Sequence, residues 1–315
     1  MNKEFDVIVV GELNVDLILN QIESFPEMGK EKLAQTMTLT LGSSSAIFAS
    51  NLSSLGSKVS FIGKIGEDSF GDLIVDSLAA KKVDTSMILK SDKLNSGATI
   101  VLNYGENRAM VTYQGAMNEL TIADINSDNL KKAKHLHFSS YYLQPGIRND
   151  IGKLFKLAKE NGLTTSFDMQ WDPEEKWELN YKEVLPHVDI FLPNEEEIKN
   201  LTNTNDVDKA LEQLKDYTNV VCAKMGSKGS LLHTKDEKIY KEAFINEEVV
   251  DAIGAGDSFN AGFIYKFIEG ADLSVCQEFG NLMGAVNTTE AGGTSAFKDY
   301  DHVIKIAKTK FGYSE

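Results

Sequence analysis

Apolar and polar positions follow two different periods along the chain, and the change between them predicts an α/β fold. Short apolar runs typical of buried strands occupy residues 5–10, 59–63, 135–139, 163–168, 188–192 and 219–224. Between several of them, apolar residues recur at helical spacing, as at 148–161, 195–201 and 206–217. Strands that alternate with helices in this way form a mostly parallel sheet covered by helices on both faces.

Two segments in the first third of the chain break this alternation and predict a second, smaller sheet. Residues 36–41 have the pattern of a strand, and two alternating runs between 98 and 113 flank a polar, glycine-containing turn typical of a hairpin. We expect small-sheet strands within about 11–41 and 97–114, inserted into a single α/β domain that spans 1–315. A sheet in this place is suited to act as a lid over a binding site.

Composition narrows the classes of partner. The 315 residues include 47 acidic and 32 basic side chains, and the net charge of −15 disfavours nucleic acid and anionic membranes. Charged residues surround the short apolar run at the N-terminus, which therefore has the pattern of neither a signal peptide nor a membrane span. Cys222 and Cys276 lie in apolar patterns and predict reduced, buried thiols. We expect a cytoplasmic protein with small-molecule ligands.

Residues 249–263, with the sequence VVDAIGAGDSFNAGF, have the clearest chemical character. An apolar run of strand type, a glycine-rich turn and a helical pattern predict a strand, a tight turn and a helix. The free amides of the first helical turn can bind one anion, and the helix dipole favours the charged form of Asp257 at the helix start. An anion site beside a carboxylate suits phosphoryl transfer from a nucleotide to an alcohol. The same residues also fit an ordinary capped helix.

Polar residues follow other predicted strands, at the sheet edge where α/β proteins bind ligands. Asn14 and Asp16 share one face at strand spacing and suit either sugar hydroxyls or a polar turn. Asn194 and Glu197 share one face of a predicted helix and suit Mg²⁺ bound through water, or a helix N-cap. The glycines of 224–229 permit the close approach of a nucleotide, or form a hairpin turn.

Several common catalytic motifs are absent from the sequence. It contains no Walker-type phosphate loop, no dinucleotide-binding fingerprint and no nucleophile elbow of serine hydrolases. The five histidines lack metal-ligand spacing, and we expect His135 and His137, which alternate along a predicted strand, to be structural.

In order, and over nearly the whole chain, these segments resemble the ribokinase-like, phosphofructokinase-B type family of carbohydrate kinases. The matching segments are 11–16, Gly42 with 51–56, 62–71, 193–197, 224–229 and 251–259. The resemblance implies a three-layer α/β core with a mostly parallel central sheet and a small β-sheet lid. It also implies an ATP-dependent kinase that transfers the γ-phosphate to a hydroxymethyl group of a small sugar.

The resemblance further implies a role for each motif residue. Asp257 would be the catalytic base, and Gly254, Ala255 and Gly256 would form the anion hole. Sugar contacts would come from Asn14, Asp16, Gly42 and Ser43, while Arg108 at the hairpin meets either an anion or solvent. The residues facing ATP would be Asn194, Lys224, Gly226, Gly229 and Asn281, with Glu197 in the Mg²⁺ shell and Asp251 and the Ile253 carbonyl at a monovalent cation such as K⁺. A strand of the lid could also pair with a second subunit in a homodimer.

Departures from the family pattern bear on the acceptor. The usual glycine pair is Gly42-Ser43, and Ile47 replaces an Asn that ribokinases use for hydrogen bonding. Asp172 stands where fructokinase-like relatives carry Arg, which disfavours an acidic sugar, whereas Lys224 recurs in some sugar-acid kinases. Ribose-, fructose- and ketodeoxy-sugar-like acceptors therefore stay open. The alternatives are a nucleoside kinase of the same fold and a catalytically silent sugar-sensing protein.

Overall fold

The computed structural model describes residues 3–104 and 107–314. The strands are β1 Phe5–Val10, β2 Asn14–Asn20, β3 Thr36–Leu41, β4 Val59–Ile62, β5 Lys64–Gly66, β6 Leu89–Ser91, β7 Gly97–Tyr104, β8 Asn107–Tyr113, β9 Ala133–Ser139, β10 Thr164–Asp168, β11 Ile190–Phe191, β12 Val220–Lys224, β13 Ser230–His233 and β14 Lys238–Lys241. The helices are α1 Ser44–Ser54, α2 Ser69–Ala80, α3 Ser127–Leu130, α4 Pro145–Arg148, α5 Ile151–Glu160, α6 Tyr181–Val184, α7 Glu195–Thr202, α8 Val207–Leu214, α9 Ala255–Ile268, α10 Leu273–Asn287 and α11 Tyr300–Phe311.

The main sheet has eight strands in the order β14-β13-β12-β11-β10-β9-β1-β4. The six from β12 to β4 are parallel, and β13 and β14 add an antiparallel hairpin at one edge. Successive residues of β1 enter different cores, Val7 and Val9 on one face and Ile8 and Val10 on the other. A strand that is apolar on both faces lies between two layers of helices. The predicted three-layer α/β core is therefore confirmed.

The helices divide between the two faces as their apolar stripes require. On α5, the buried residues Ile151, Leu154, Phe155 and Ala158 form one stripe that packs against the sheet, as expected for a surface helix. In contrast, every residue of α9 from 257 to 264 is buried, because this helix packs between α1 and α10 on the opposite face. The helix that carries Asp257 is therefore held on several sides. No helix within the described ranges has the length and apolar character needed to span a membrane.

The predicted small sheet is also present, with strand order β3-β2-β7-β8. Strands β7 and β8 form the expected antiparallel hairpin, whose turn residues 105–106 lie outside the described residues. Because side chains alternate across a strand, one face of this sheet presents Asp16, Thr99 and Arg108 to a cleft described below. The opposite face is apolar and exposed.

Two predicted elements differ from the structure. The segment 148–161 is divided by a break at 149–150, so that α4 ends before α5 begins. The strand predicted at the start of 249–263 is wrong: Val249 and Val250 lie in a loop and are 57% and 59% exposed. Valine favours strands where a neighbouring strand provides pairing, but the Val250 N–H instead donates to the Thr288 carbonyl beyond the end of α10, at 2.9 Å.

Candidate active site

A cleft of about 740 Å³ lies between the small sheet and the carboxyl ends of the parallel strands. Its wall on the main-sheet side includes residues that follow or end four of these strands: Glu12, Gln170, Asn194 and Lys224. The small sheet contributes its polar face. Open α/β sheets bind their ligands at this edge, so the fold and the cleft define the same candidate site.

Asp257 lies in the first turn of α9, lines this cleft and is only 7% exposed. The Gln170 side-chain amide donates to Oδ1 of Asp257 and to Oδ2 of Asp168, both at 3.0 Å. Burial, and then the neighbouring Asp168 carboxylate, raises the pKa of Asp257 well above its ordinary value. A carboxylate in such a place is a stronger proton acceptor than one on the surface.

The turn before Asp257 exposes backbone amides to the cleft. Gly254 begins α9 with a φ of 77°, and a Cβ on it would lie 2.7 Å from the Cα of Gly293, so that only glycine fits here. In the part of the chain that the structure describes, no side chain caps this helix end. The Ala255 amide bonds to the Ala252 carbonyl at 3.3 Å, whereas those of Gly256 and Asp257 have no backbone partner among the described residues. Two free amides at a helix N-terminus are suited to an anion.

Lys224 is turned toward this helix end. Its Nζ lies 2.5 Å from Oδ2 of the fully buried Asp168 and 3.2 Å from Oδ1 of Asn260. Burial opposes the charge on this ammonium, yet the carboxylates of Asp168 and Glu197 outweigh it and raise the pKa of Lys224. The resemblance implied that Lys224 faces the nucleotide, and this stays a prediction; its ammonium lies beside the amide turn and interacts with the Asp257 carboxylate.

Asp168 and Asn260 are site residues that sequence reasoning missed. Asp168 ends β10, and the rule that ligands lie beyond strand ends would have selected it. Asn260 follows Asp257 by three positions on α9, hence on the same face, and its amide donates to Asp168 Oδ2 at 2.5 Å.

The small sheet brings Asn14 and Asp16 together as predicted. The Asn14 amide donates to Asp16 Oδ1 at 2.9 Å and to Thr99 Oγ1 at 3.1 Å. Burial raises the pKa of Asp16 to about 6, although the Asn14 hydrogen bond and the charge of Arg108 oppose the shift. Arg108 is exposed and lines the cleft. Gly42 is not among the lining residues, but a Cβ there would fall 2.2 Å from Asp16 Oδ1, so glycine leaves room for this carboxylate.

Ser43 adopts a φ of 69°, which glycine favours and other residues rarely adopt. Its hydroxyl accepts a bond from the Ala46 amide at 3.0 Å and donates to the Glu12 carbonyl at 2.7 Å. The Glu12 carboxylate is 1% exposed, and Oε1 accepts bonds from the Ser140 hydroxyl at 2.8 Å and the Ser45 amide at 3.1 Å. Burial raises the pKa of Glu12. Sequence reasoning missed Glu12 as a site residue, although it follows the end of β1, where α/β proteins bind their ligands.

The nucleotide candidates form the other end of the cleft. Asn194 caps α7: the backbone N–H of Glu197 donates to Asn194 Oδ1 at 2.9 Å, and the backbone N–H of Asn194 donates to Glu197 Oε2 at 2.8 Å. The N-cap alternative is thus correct, yet both side chains also line the cleft. Burial, and then Asp168, raises the pKa of Glu197 to about 8.

Gly226, Gly229 and Asn281 line the same end. The two glycines belong to the connection between β12 and β13, so the predicted hairpin turn is present. The Asn281 side-chain amide donates to the Glu242 carbonyl at 3.1 Å, which fixes the orientation of that side chain.

Asp251 does not line the cleft, although Ile253 does. Its carboxylate accepts a hydrogen bond from the Ile253 amide at 2.9 Å and one from the Gly292 amide at 3.0 Å. Asp251 therefore ties the loop before α9 to the loop after α10. Within the described ranges, no group of three or more His, Cys, Asp or Glu side chains is arranged to hold a metal ion.

The expectation drawn from Asp172 is wrong. Its carboxylate accepts hydrogen bonds from the backbone amides of Glu174 at 2.9 Å and Trp177 at 2.7 Å, and it does not line the cleft. The charge of Asp172 therefore gives no reason to exclude an acidic acceptor. Its neighbour Trp171, 48% exposed, lines the cleft instead.

The fold and the site together define a kinase of the ribokinase type. Residues 4–299 match the family model described as pfkB family carbohydrate kinase. The chain belongs to this family, and it is a phosphotransferase with an alcohol group as acceptor.

Named relatives differ in their acceptors. A 5-dehydro-2-deoxygluconokinase of Clostridium perfringens is 28% identical over 300 residues, which cover 90% of this chain and 87% of that protein. A nucleoside kinase of Methanothermobacter thermautotrophicus is 26% identical over 315 residues, with 99% of each chain covered. The structure of Arabidopsis thaliana ribokinase complexed with ribose and ATP aligns with a TM-score of 0.84 and 24% identity, over 98% of this chain and 99% of that one.

Proposed function

We propose that this protein transfers the γ-phosphate of ATP to a hydroxymethyl group of a small sugar. The observation that carries the proposal is the buried Asp257 carboxylate in the first turn of α9, adjacent to an uncapped amide turn. In the reaction, the acceptor oxygen forms a bond to the γ-phosphorus, and the bond from that phosphorus to the oxygen bridging it to ADP breaks. Asp257 takes the hydroxyl proton, and the turn from Gly254 to Gly256 binds the phosphoryl charge.

The acceptor would lie between the small sheet and the turn after β3. The Asn14 side-chain amide and the Asp16 carboxylate lie close together, and such a pair is suited to bind adjacent sugar hydroxyls. Ser43 lines this end, and Gly42 leaves room for the Asp16 carboxylate. Arg108 is the cation nearest to Asp16 on the small sheet, and we propose that it contacts the acceptor.

ATP would occupy the other end of the cleft, against Asn194, Gly226, Gly229 and Asn281. Glu197 fits a Mg²⁺ shell, because its buried carboxylate lines the cleft and each oxygen accepts one bond from Asn194 and keeps a lone pair for a bound water. When bound, Mg²⁺ would neutralise charge on the phosphates.

We also propose a monovalent cation such as K⁺ beside Asp251 and the Ile253 carbonyl. Each carboxylate oxygen of Asp251 accepts one backbone hydrogen bond and retains a second lone pair. The test compares turnover in KCl with turnover in tetramethylammonium chloride at equal ionic strength. Equal rates in the two salts would remove this part of the proposal.

A nucleoside acceptor is the second candidate, supported by the nucleoside kinase relative. The side chain of Ile47, 4% exposed, lines the cleft where ribokinases offer an amide, so this wall is less polar than theirs. With Trp171 it provides apolar surface that suits either the face of a deoxy sugar or a base.

The test is a screen of acceptor-dependent ADP release by the purified protein with Mg·ATP. The panel contains ribose, fructose, 2-keto-3-deoxygluconate, 5-dehydro-2-deoxygluconate, adenosine and inosine, with a control that lacks any acceptor. We expect at least one sugar to raise ADP release well above the control. Stimulation by nucleosides alone would replace the sugar by a nucleoside, and no stimulation by any compound would favour the sugar-sensing alternative.

We propose a homodimer formed through the small sheet. Its outer face exposes apolar side chains in register, including Leu39 at 40%, Ile100 at 42% and Val111 at 67%. An exposed apolar face of this kind is typical of an interface. Light scattering should give twice the monomer mass, and Val111→Lys should shift the protein toward the monomer. We further propose that it acts in the cytoplasm, in keeping with its buried free thiols Cys222 and Cys276.

A further inference from the structure

We propose that Lys224 is a catalytic residue that donates a hydrogen bond to the transferring phosphoryl group, and that Asp168 is the positioning residue that holds it there. This inference rests on the proposed kinase function and deepens it. The family resemblance implied a contact between Lys224 and the nucleotide, and this inference specifies the transferring γ-phosphoryl group as the part that Lys224 contacts.

The position of the ammonium carries the proposal. A Cβ built on Gly256 would lie 3.7 Å from Lys224 Nζ, so the ammonium lies next to Gly256, whose amide has no backbone partner among the described residues. An ammonium has three donors, and Asp168 and Asn260 accept two of them. No third partner is found among residues 3–104 and 107–314, and Lys224 lines the cleft. One donor thus remains for an oxygen placed at the amide turn.

The hydrogen bonds around Asp168 fix this geometry. Its Oδ2 accepts bonds from Lys224, from the Asn260 amide and from Gln170, which also bonds to Asp257. Asp168 itself has no exposed surface. A buried carboxylate with three donors has little freedom to move, so it holds the ammonium and the base in one fixed arrangement.

The charge balance of the cleft calls for a cation at this place. The charged residues that line it, within the described ranges, are the carboxylates of Glu12, Asp16, Glu197 and Asp257 and the cations Arg108 and Lys224. Arg108 belongs to the small sheet, so Lys224 is the lysine on the side where the parallel strands end. The triphosphate adds further negative charge, and positive charge beside the transferring group stabilises the transition state.

The step remains that of the proposed function. The acceptor oxygen bonds to the γ-phosphorus, its proton passes to Asp257, and the bond to the ADP oxygen breaks. Lys224 stays protonated throughout and donates to an oxygen of the phosphoryl group, and Asp168 exchanges no proton.

The competing interpretation is a purely structural ion pair between Lys224 and Asp168. Four variants separate the two: Lys224→Met, Lys224→Arg, Asp168→Asn and the control Lys228→Met. Lys228 lies on the loop after β12, pairs with Glu195 at 3.1 Å and does not line the cleft. Thermal unfolding of every variant establishes that it folds.

We expect Lys224→Met to lower kcat at least about 100-fold, the scale for the loss of one preorganised donor, with a much smaller change in the KM of the acceptor. Lys224→Arg should retain more activity than Lys224→Met because it keeps the charge, and Lys228→Met should match the wild type. A folded Lys224→Met variant with near-normal kcat would overturn the proposal.

A pH profile tests the electrostatic part of the arrangement, in which the charges of Lys224 and Asp168 act on the pKa of Asp257. The titratable and charged groups facing Asp257 are Asp168 on β10, Lys224 on β12 and Glu12 after β1, and the Gln170 side-chain amide and the Ser44 hydroxyl also bond to it. Removal of the Lys224 charge should move the acid limb of kcat/KM to higher pH, whereas Asp168→Asn should move it to lower pH. Shifts of equal sign, or no shift in either variant, would contradict the arrangement.

Nucleotide binding separates this inference from the proposed function. Binding of the non-hydrolysable ATP analogue AMP-PNP and of ADP, each with Mg²⁺, needs no acceptor and can be measured by calorimetry. Lys224→Met should weaken AMP-PNP at least about tenfold and ADP much less, because only the analogue carries the γ-group that would accept this charge-assisted bond. Equal weakening of both would refute the role of Lys224 even if no acceptor for the wild type were found.

Discussion

At the residue scale, the cleft gathers carboxylates that the fold places away from water. Asp257, Glu197 and Glu12 are all less than 10% exposed, and burial raises the pKa of each. A protein selected for stability alone would not keep three such groups along one wall, because the charged form of each is disfavoured there. Functional sites are the places where such environments are retained.

Ser43 offers a separate test at this scale. Its φ of 69° is strained for a side-chain-bearing residue, while its hydroxyl caps α1 and bonds to Glu12. Ser43→Ala loses the cap and keeps the strain, so we expect a destabilisation of about 1–2 kcal/mol. Ser43→Gly loses the same cap but relieves the strain, which exceeds the added entropy of the unfolded chain, so it should be about 1 kcal/mol more stable than Ser43→Ala.

Urea unfolding of the two variants and the wild type measures these differences. The comparison between glycine and alanine matters most, since both lack the hydroxyl. If Ser43→Ala were the more stable of the two, the backbone conformation at this position would not be strained.

At the element scale, local signals and long-range contacts were predictable to different degrees. The bounds of β1 and β3 and the start of α9 follow from local patterns and match the structure closely. The pair of Lys224 with Asp168 joins residues 56 positions apart, on β12 and β10 with β11 between them. No local pattern encodes such a contact, because it depends on strand order.

The errors at this scale have the same origin. Val249 and Val250 have strand propensity, but the chain offers them a helix end and no strand to pair with. Asp172 was expected near the acceptor because it stands where fructokinase-like relatives carry Arg, whereas the turn after β10 directs its carboxylate to the backbone of 174–177. In both cases tertiary context overrode a local interpretation.

The hairpin of β7 and β8 gives the prediction at this scale. It carries Thr99, Arg108 and Thr112 on the face toward the cleft, so an acceptor bound there should hold it more tightly. We expect slower amide hydrogen exchange across both strands at a saturating concentration of the acceptor. The hairpin of β13 and β14 serves as the control and should change little.

The exchange measurement also has an outcome that would end the lid interpretation. If β7 and β8 exchange at the same rate with and without a saturating acceptor, the small sheet does not close on it. The sheet would then be a fixed wall of the cleft.

At the scale of the whole molecule, the raised pKa values make stability depend on pH. The pKa of Asp16 is raised to about 6 and that of Glu197 to about 8. A carboxyl group with a raised pKa binds more protons in the folded than in the unfolded state. The free energy of unfolding therefore falls as the pH rises from the pKa of that group in the unfolded state to its pKa in the folded state. Between pH 6 and pH 8 these two carboxyl groups therefore lower the stability of the ligand-free protein, whereas the buried His135 and His137, whose pKa values burial lowers, raise it.

Glu197→Gln provides the matched variant for this dependence. It removes one of the ionising groups and keeps an acceptor and a donor at the start of α7, so its unfolding temperature should fall less, or rise more, from pH 6 to pH 8 than that of the wild type. An unchanged slope in the variant would contradict the raised pKa of Glu197.

The central claim is that Asp257 is the base of a sugar kinase, and Asp257→Asn tests it most directly. The measurement is acceptor-dependent ADP release by wild type and variant with the best acceptor of the screen, together with thermal unfolding at pH 8. The control is Asp301→Asn, which changes an exposed acid in the first turn of α11. We predict that Asp257→Asn lowers turnover at least about 100-fold, the lower range for a lost proton acceptor, while the fold is at least as stable as the wild type because a buried carboxylate is gone. Near-normal turnover in a folded Asp257→Asn variant would contradict the account.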